Sequence, residues 1–419
     1  MFRCISELKG LIIDTDSFLD EDISEWDGLL KDYKFLFLSS DKKRTTELIN
    51  HFGTELVLNL DEKEMLFVPN NQTHAEILNI TGLNSTQIAY VSKDIFFITR
   101  ALKYLCGSIY ITKEMSYEDA STAADLICGS IQQLQALLNE GADGFFGEKM
   151  FYPATSNRGL IIPVKFDVDG TEYKMFMLGR YYSYAHYMNN LHPYSSSIYL
   201  NKQHGRAEGV FDRKFYSLLR GTINTLIKHY DIDSICAVPP RPGNKNRFKT
   251  IIRKLAENFA WEDLSDSIIC ISNYQPQKSL SYVERERNVY DVFEVNGDIH
   301  ERKILIIDDI STSGATLKSC VRELKANGAE QIYIIVYAVN QIKGAYWSSN
   351  VAEVKCPLCN HKMKLLINSN DASFFYLCTN DECIKTMNYD IGRNILEKIV
   401  SSEKYVADDD SDINFFDWF

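Results

Sequence analysis

The run Lys303-Ile304-Leu305-Ile306-Ile307-Asp308-Asp309-Ile310-Ser311-Thr312-Ser313-Gly314-Ala315-Thr316-Leu317 most narrows the folds open to this chain. A short apolar stretch stops at two carboxylates, crosses a hydroxyl- and glycine-rich turn, and continues with Leu317, Val321 and Leu324 at helical spacing before Gly328. This is a strand, apolar on both faces, that leads directly into a helix. Such a strand is satisfied in a parallel sheet covered by helices on both sides, so the chain reads as α/β.

The same rhythm occurs twice. Short apolar runs at 10–13, 35–38, 56–58, 88–91 and 108–111 alternate with longer mixed segments, and 120–138 has apolar residues at helical spacing before Gly141, which predicts a closing helix. A first α/β domain is therefore expected over 1–140. The second, over 141–345, opens with β-type alternation at 159–166 and an Asp169-Gly170 hairpin signal, then places strands at 234–239, 268–272, 304–308 and 331–337. A cysteine-bearing segment over 346–400, with a helix near 391–401, and an acidic, aromatic-ended tail over 401–419 complete the division.

Phosphate chemistry accounts for each part of the 303–317 run. The turn's N–H groups and the helix N-terminus form a nest for an anion. Ser311, Thr312, Ser313 and Thr316 add hydroxyl donors, Gly314 lets the backbone approach closely, and Ala315 lies within the same turn. Asp308 and Asp309 are placed to accept hydrogen bonds from sugar hydroxyls and are the candidate catalytic acids.

This run resembles the phosphoribosyl-pyrophosphate motif of the type I phosphoribosyltransferases, and the resemblance extends over about 175 to 340. Residues 277–293 resemble the hood segment of the ComF-like, competence-associated branch. That resemblance implies a mobile loop whose Lys278, Arg285 and Arg287 close on a pyrophosphate and exclude water. Residues 237–247 occupy the place of the family's pyrophosphate loop, so Arg241, Lys245 and Arg247 are expected to bind the leaving pyrophosphate together with Mg²⁺. Leu178 to Tyr184, with Lys202, looks like the stretch that opens the family's domain. The implied substrate is phosphoribosyl pyrophosphate or a nucleotide; the loop's wording departs from the competence branch, so the acceptor is left open.

Near the amino terminus, Leu11-Ile12-Ile13-Asp14-Thr15-Asp16 sets two carboxylates two residues apart just past a strand, and Phe35-Leu36-Phe37-Leu38-Ser39 is a second strand that ends in a hydroxyl. Both resemble motifs of the haloacid dehalogenase-like phosphohydrolases. The resemblance implies Asp14 as nucleophile, Asp16 as general acid, Ser39 on the phosphoryl group and Mg²⁺ held by Asp14, Asp16 and Asp94. Two later motifs depart from the pattern. Val68-Pro69 stands where relatives have lysine before proline, and Asp94 is a single acid with Lys93 beside it. A scaffold that has lost hydrolysis is the competing expectation.

Cys356, Cys359, Cys378 and Cys383 form C-x2-C and C-x4-C pairs, a spacing that suits a closed, structural Zn²⁺ site in a small ribbon, with His361 outside the set. The other six cysteines sit among apolar neighbours and read as buried thiols. With 57 acidic against 45 basic residues the net charge is −12, which excludes a bulk attraction to nucleic acid or anionic membrane. No run approaches the roughly 18 apolar residues of a spanning helix, and no export signal opens the chain, so a cytoplasmic protein without a membrane partner is expected. Lys355, Lys362, Lys364 and Lys385 give the ribbon a local basic character. The ribbon and the tail are therefore candidate contacts for nucleic acid or a protein partner, and a homo-oligomer is compatible with the sequence. Two alternatives accompany the transferase reading: a regulator that senses phosphoribosyl pyrophosphate or a nucleotide, and an accessory protein of nucleic-acid uptake or repair.

Overall fold

Strands apolar on both faces pair where helices can cover them, and the first five apolar runs do so. The computed structural model describes residues 8–104, 106–151, 158–183, 192–202, 210–275, 282–341, 353–368 and 373–400. In chain order the first strands are β1 (Gly10–Asp14), β2 (Lys34–Ser39), β3 (Val57–Asn59), β4 (Ile88–Ser92), β5 (Gly107–Ile111), β6 (Met115–Ser116) and β7 (Leu126–Cys128). Six of them form a parallel sheet in the order β3-β2-β1-β4-β5-β7. The order turns back between β1 and β4, so the carboxyl ends of those two strands flank the crevice where open α/β sheets bind ligands. The expected closing helix over 120–138 is corrected. Leu126–Cys128 is a buried edge strand, and the helix starts at Ile131 because the Ser130 side chain accepts a hydrogen bond from the Gln133 N–H. A fully buried apolar strand carries no period of its own, so beside a true helix it passes for part of it.

The next strands are β8 (Ala142–Phe145), β9 (Arg158–Leu160), β10 (Ile162–Val168), β11 (Thr171–Met177), β12 (Arg180–Tyr181), β13 (Ser234–Ala237), β14 (Glu262–Asp263), β15 (Ile268–Cys270), β16 (Phe293–Val295), β17 (Lys303–Ser311) and β18 (Gln331–Asn340). The second sheet has the order β14-β13-β17-β18-β11-β10-β6, with β12 alongside β18. Its centre is parallel, with Ile304 opposite Ile332 and Asp308 opposite Val336. β10 and β11 form the hairpin that Asp169-Gly170 predicts, and both turn residues have positive φ, 54° and 79°. The run at 268–272 does not join this sheet. It pairs with β16 in a separate antiparallel flap, and Cys270 is half-buried there.

β6 precedes position 141, yet it extends the second sheet, with Met115 opposite Val164 and Ser116 opposite Lys165. Residues 115–125 are then clamped to that sheet. Gln341 accepts from the Ala123 N–H at 3.0 Å and donates to the Ala120 carbonyl at 3.0 Å. Beneath the clamp lies Arg180, its side chain 1% exposed, which donates to Asp125 at 2.8 Å and to both Glu148 oxygens at 2.9 and 3.0 Å. Burial works against ionised Glu148, but the Arg180 guanidinium prevails and holds its carboxyl well below the usual range.

The cysteine-bearing segment forms an antiparallel sheet of β19 (Met363–Ile367), β20 (Phe374–Cys378) and β21 (Thr386–Asn388), followed by a helix over Tyr389–Val400. Val354, Met363, Leu365 and Tyr376 pack with Leu102 from the first unit and Tyr182 from the second. Among the described residues no helix is long and apolar enough to cross a membrane. The tail over 401–419 lies outside the described residues.

Arg180→Met would leave Asp125 and Glu148 buried without their counter-charge, which costs about 3–5 kcal/mol of stability. Chemical denaturation at pH 7 should show that loss. A midpoint that does not move would mean the two carboxylates find other partners.

Candidate functional site

β13 and β17 run side by side with Ala237 opposite Ile307, so the loop after β13 lies beside the two acids that follow Ile307 on β17. Between them lies a cleft of about 390 Å³ lined by Arg241, Asn244, Lys245, Arg247, Tyr274, Asp308, Asp309 and Thr316, among others. A second cavity, of about 360 Å³, is lined by Ile227, Tyr230, Phe259 and Trp261 before the start of β13, away from the acids.

Alternation along β17 sends Asp308 and Asp309 to opposite faces. Asp309 is buried; its carboxylate accepts from the Ile310 N–H at 2.6 Å and pairs with the Arg247 guanidinium. Asp308 accepts from the Asp309 N–H at 2.8 Å. Backbone amides therefore fix both carboxylates near the carboxyl end of β17, where both line the cleft together with three cationic side chains. Arg241 donates to the Tyr274 carbonyl at 3.2 Å, with its guanidinium 5.3 Å from the Tyr274 ring centre. The loop's far end is set by Phe248, which precedes the helix Lys249–Phe259 and packs on Tyr337, itself stacked on Phe215 at 4.5 Å.

β17 runs on through Ser311 instead of stopping at Asp308 as the sequence predicts, because Ile310 and Ser311 still pair with Ala338 and Val339; the turn follows over 312–314. Ser311 and Ser313 are buried, Thr312 is exposed, and the helix runs over Ala315–Ala326. Gly314 stands before it at φ 74°, and a Cβ there would come within 2.7 Å of the Phe166 ring. Phe166 and Tyr117 floor this turn, and the Tyr117 hydroxyl lies 2.7 Å from Ser311 Oγ. Neither residue belongs to a motif around the turn, since Phe166 lies on β10 and Tyr117 just past β6, both far from it in sequence. Arg285 and Arg287 lie on the helix Tyr282–Asn288 and are not among the cleft-lining residues; Lys278 falls outside the described residues.

In the first sheet, Asp14 ends β1, Ser39 ends β2, and Asp94 follows β4. Burial pushes the Asp14 carboxyl up to about 6 against the hydrogen bond from Ser92 Oγ at 2.5 Å, and the charges of Asp16 and Asp94 add to the rise. Asp16 accepts from Ser39 Oγ at 2.9 Å, the Ser40 N–H at 3.0 Å and Ser40 Oγ at 2.6 Å. Asp94 caps the helix Ile95–Ala101 by accepting from the Phe96 N–H, and Lys93 pairs with Glu21.

The Sγ atoms of Cys356, Cys359, Cys378 and Cys383 all lie within 4.8 Å of one another, with contacts of 3.6 Å (Cys356 to Cys383) and 3.4 Å (Cys359 to Cys378). Zn–S bonds of about 2.3 Å in a tetrahedron put sulfurs about 3.8 Å apart, so this donor set can hold a metal such as zinc. Exposed His361 bonds to the Cys359 carbonyl instead.

Residues 219–365 match the family model for the phosphoribosyl transferase domain. No curated protein matches the chain. The matched segment holds the cleft loop, β17 and its turn, and it supports phosphoribosyl transfer in general, with a phosphoribosyl pyrophosphate or nucleotide substrate. Tyr117, Phe166 and Arg180 lie before it.

Native Asp14 keeps its proton to about pH 6, whereas the unfolded chain releases it near about pH 4. Between those values the unfolded state binds fewer protons, so stability falls as pH rises. Asp14→Asn removes that loss and should gain up to about 3 kcal/mol over the wild type at pH 7 and nothing below about pH 4. Thermal midpoints of both proteins at the two pH values check this; a difference that does not change with pH would refute a raised Asp14.

Proposed function

We propose that the chain is a Mg²⁺-dependent phosphoribosyltransferase, with a zinc-stapled ribbon and an amino-terminal unit that acts on a phosphate ester. The observation that carries the reading is the meeting of Asp308, Asp309, the 311–316 turn and three cationic side chains at one strand end. The turn and the helix N-terminus take the 5-phosphate, and Asp308 and Asp309 accept from the ribose hydroxyls. Arg241, Lys245 and Arg247 take the pyrophosphate. As a nitrogen acceptor forms a bond to C1, the bond from C1 to the pyrophosphate oxygen breaks. Its electron pair leaves with pyrophosphate, and the acceptor's proton passes to solvent. Arg247 exchanges Asp309 for the leaving group. Mg²⁺ characteristically binds one or two carboxylates plus substrate phosphates; here Asp308 would hold it alongside the pyrophosphate, and it would supply charge neutralisation for the leaving group.

In the amino-terminal unit, Asp14, ionised above about pH 6, would serve as nucleophile at neutral pH, with Asp16 and Asp94 sharing Mg²⁺. The mutual repulsion of these three carboxylates is what a cation would relieve. One observation favours a second reading: Asp16 is already bound by three donors of its own chain, as expected of a scaffold. In that case the chain senses the sugar phosphate and presents the ribbon and tail to a partner.

Calorimetric titration of Mg²⁺ and phosphoribosyl pyrophosphate into wild type and into Asp308→Asn/Asp309→Asn tests the central claim. The variant should bind at least about tenfold more weakly, as expected for lost hydrogen bonds to charged groups. Pyrophosphate release with one of a panel of nitrogen acceptors is expected of the wild type. Binding with no turnover would favour the sensor, and no binding would end both readings. Separately, about one zinc per chain should be found by elemental analysis and be lost in Cys378→Ser along with thermal stability.

A further inference from the structure

We propose that Tyr117, outside the family-matched segment, is a positioning residue for the phosphate turn: its phenol donates to Ser311 Oγ and frees the Ser311 proton for the 5-phosphate. The inference rests on the transferase reading and names the group that prepares its anion site. Tyr117 is buried, and its hydroxyl lies 2.7 Å from Ser311 Oγ in a buried contact. Its ring meets Phe166 edge-on at 5.1 Å, and both rings lie under Gly314, where a Cβ would be 2.7 Å from Phe166 and 3.4 Å from Tyr117. The turn therefore rests on a rigid aromatic floor with one polar point.

That point is fixed from several sides. Met115 and Ser116 pair with Val164 and Lys165 immediately before Tyr117, and the Asp119 N–H donates to Ser116 Oγ at 3.0 Å just after it. Gln341 then holds Ala120 and Ala123. A phenol is a stronger donor than a serine hydroxyl, and in a chain of hydroxyls in a low-dielectric site each bond polarises the next. With Tyr117 donating, Ser311 keeps its own proton for an anionic oxygen. The effect falls on binding of the phosphate end and leaves the pyrophosphate loop untouched.

The test titrates three probes with Mg²⁺ into the full chain: phosphoribosyl pyrophosphate, ribose 5-phosphate and pyrophosphate. Tyr117→Phe keeps the ring and should weaken the first two about fivefold, the scale of one hydrogen bond, with pyrophosphate binding unchanged. In turnover the loss should appear in KM rather than kcat. Adding Tyr117→Phe to Ser311→Ala should cost nothing further, because the two act through one contact. Wild-type affinity in Tyr117→Phe, or an equal loss for all three probes, overturns the role of Tyr117 and leaves the transferase reading standing. Absence of phosphoribosyl pyrophosphate binding by the wild type overturns both. As a second variant, 3,5-difluorotyrosine in place of Tyr117 preserves shape and strengthens the donor. It should tighten ribose 5-phosphate binding about twofold, and unchanged affinity counts against the proposal.

Discussion

The architecture depends on three charges sealed from water. Arg180 sits beside β18, Asp125 precedes β7, and Glu148 lies in the helix Phe146–Phe151, so one guanidinium ties together segments that are far apart in sequence. Taking such groups out of water costs several kcal/mol each, and the cost is offset only when every donor finds its acceptor. Here they do. Asp125 also accepts from the Ser108 N–H and hydroxyl, which extends the network to the start of β5. A network of this kind fixes one relative placement of the two sheets, because any sliding strands a buried charge. Residues 115–125 inherit that placement, and with them the floor of the phosphate turn.

The cleft follows the opposite rule. Its charges meet solvent, and the strand ends hold them with backbone amides rather than burying them. Asp309 is the exception; it is buried, and it pairs with the Arg247 guanidinium. Arg247 stands on a loop whose neighbour Phe248 is anchored in the aromatic stack with Tyr337 and Phe215, so the cation can change partner without unseating the loop.

How much of this was legible in the sequence depended on distance along the chain. The 303–317 run was readable because the strand, the acids, the turn and the helix start are consecutive, and each local preference agrees with the fold. The Asp169-Gly170 hairpin was readable for the same reason. The cysteine knuckles were readable because four thiols at that spacing have few other uses. The helix expected over 120–138 failed where a three-residue buried strand imitated a helical stripe. The flap strand at 268–270 failed because an apolar run does not say which sheet it joins. β6 is two residues long, below any periodicity, and neither Tyr117 nor the Arg180 network leaves a local pattern. The hood cations were inferred from resemblance; two of them lie on a helix outside the cleft lining and one falls outside the described residues.

Fusion of the units is therefore more than a tether. From the carboxyl end of β5 the chain needs only residues 112–114 to reach β6, and Tyr117 follows at once. β5 lies beside β4, whose last residue, Ser92, holds Asp14. The ribbon adds a third tie, since its core packs on Leu102 and Tyr182 together. Two acid-bearing strand ends and a thiol cluster are thus set in one frame by contacts that no segment makes alone. β4, β5 and the 112–125 segment, together with the ribbon, are described elements that touch more than one unit, so they offer routes by which a chemical event at one end can reach another.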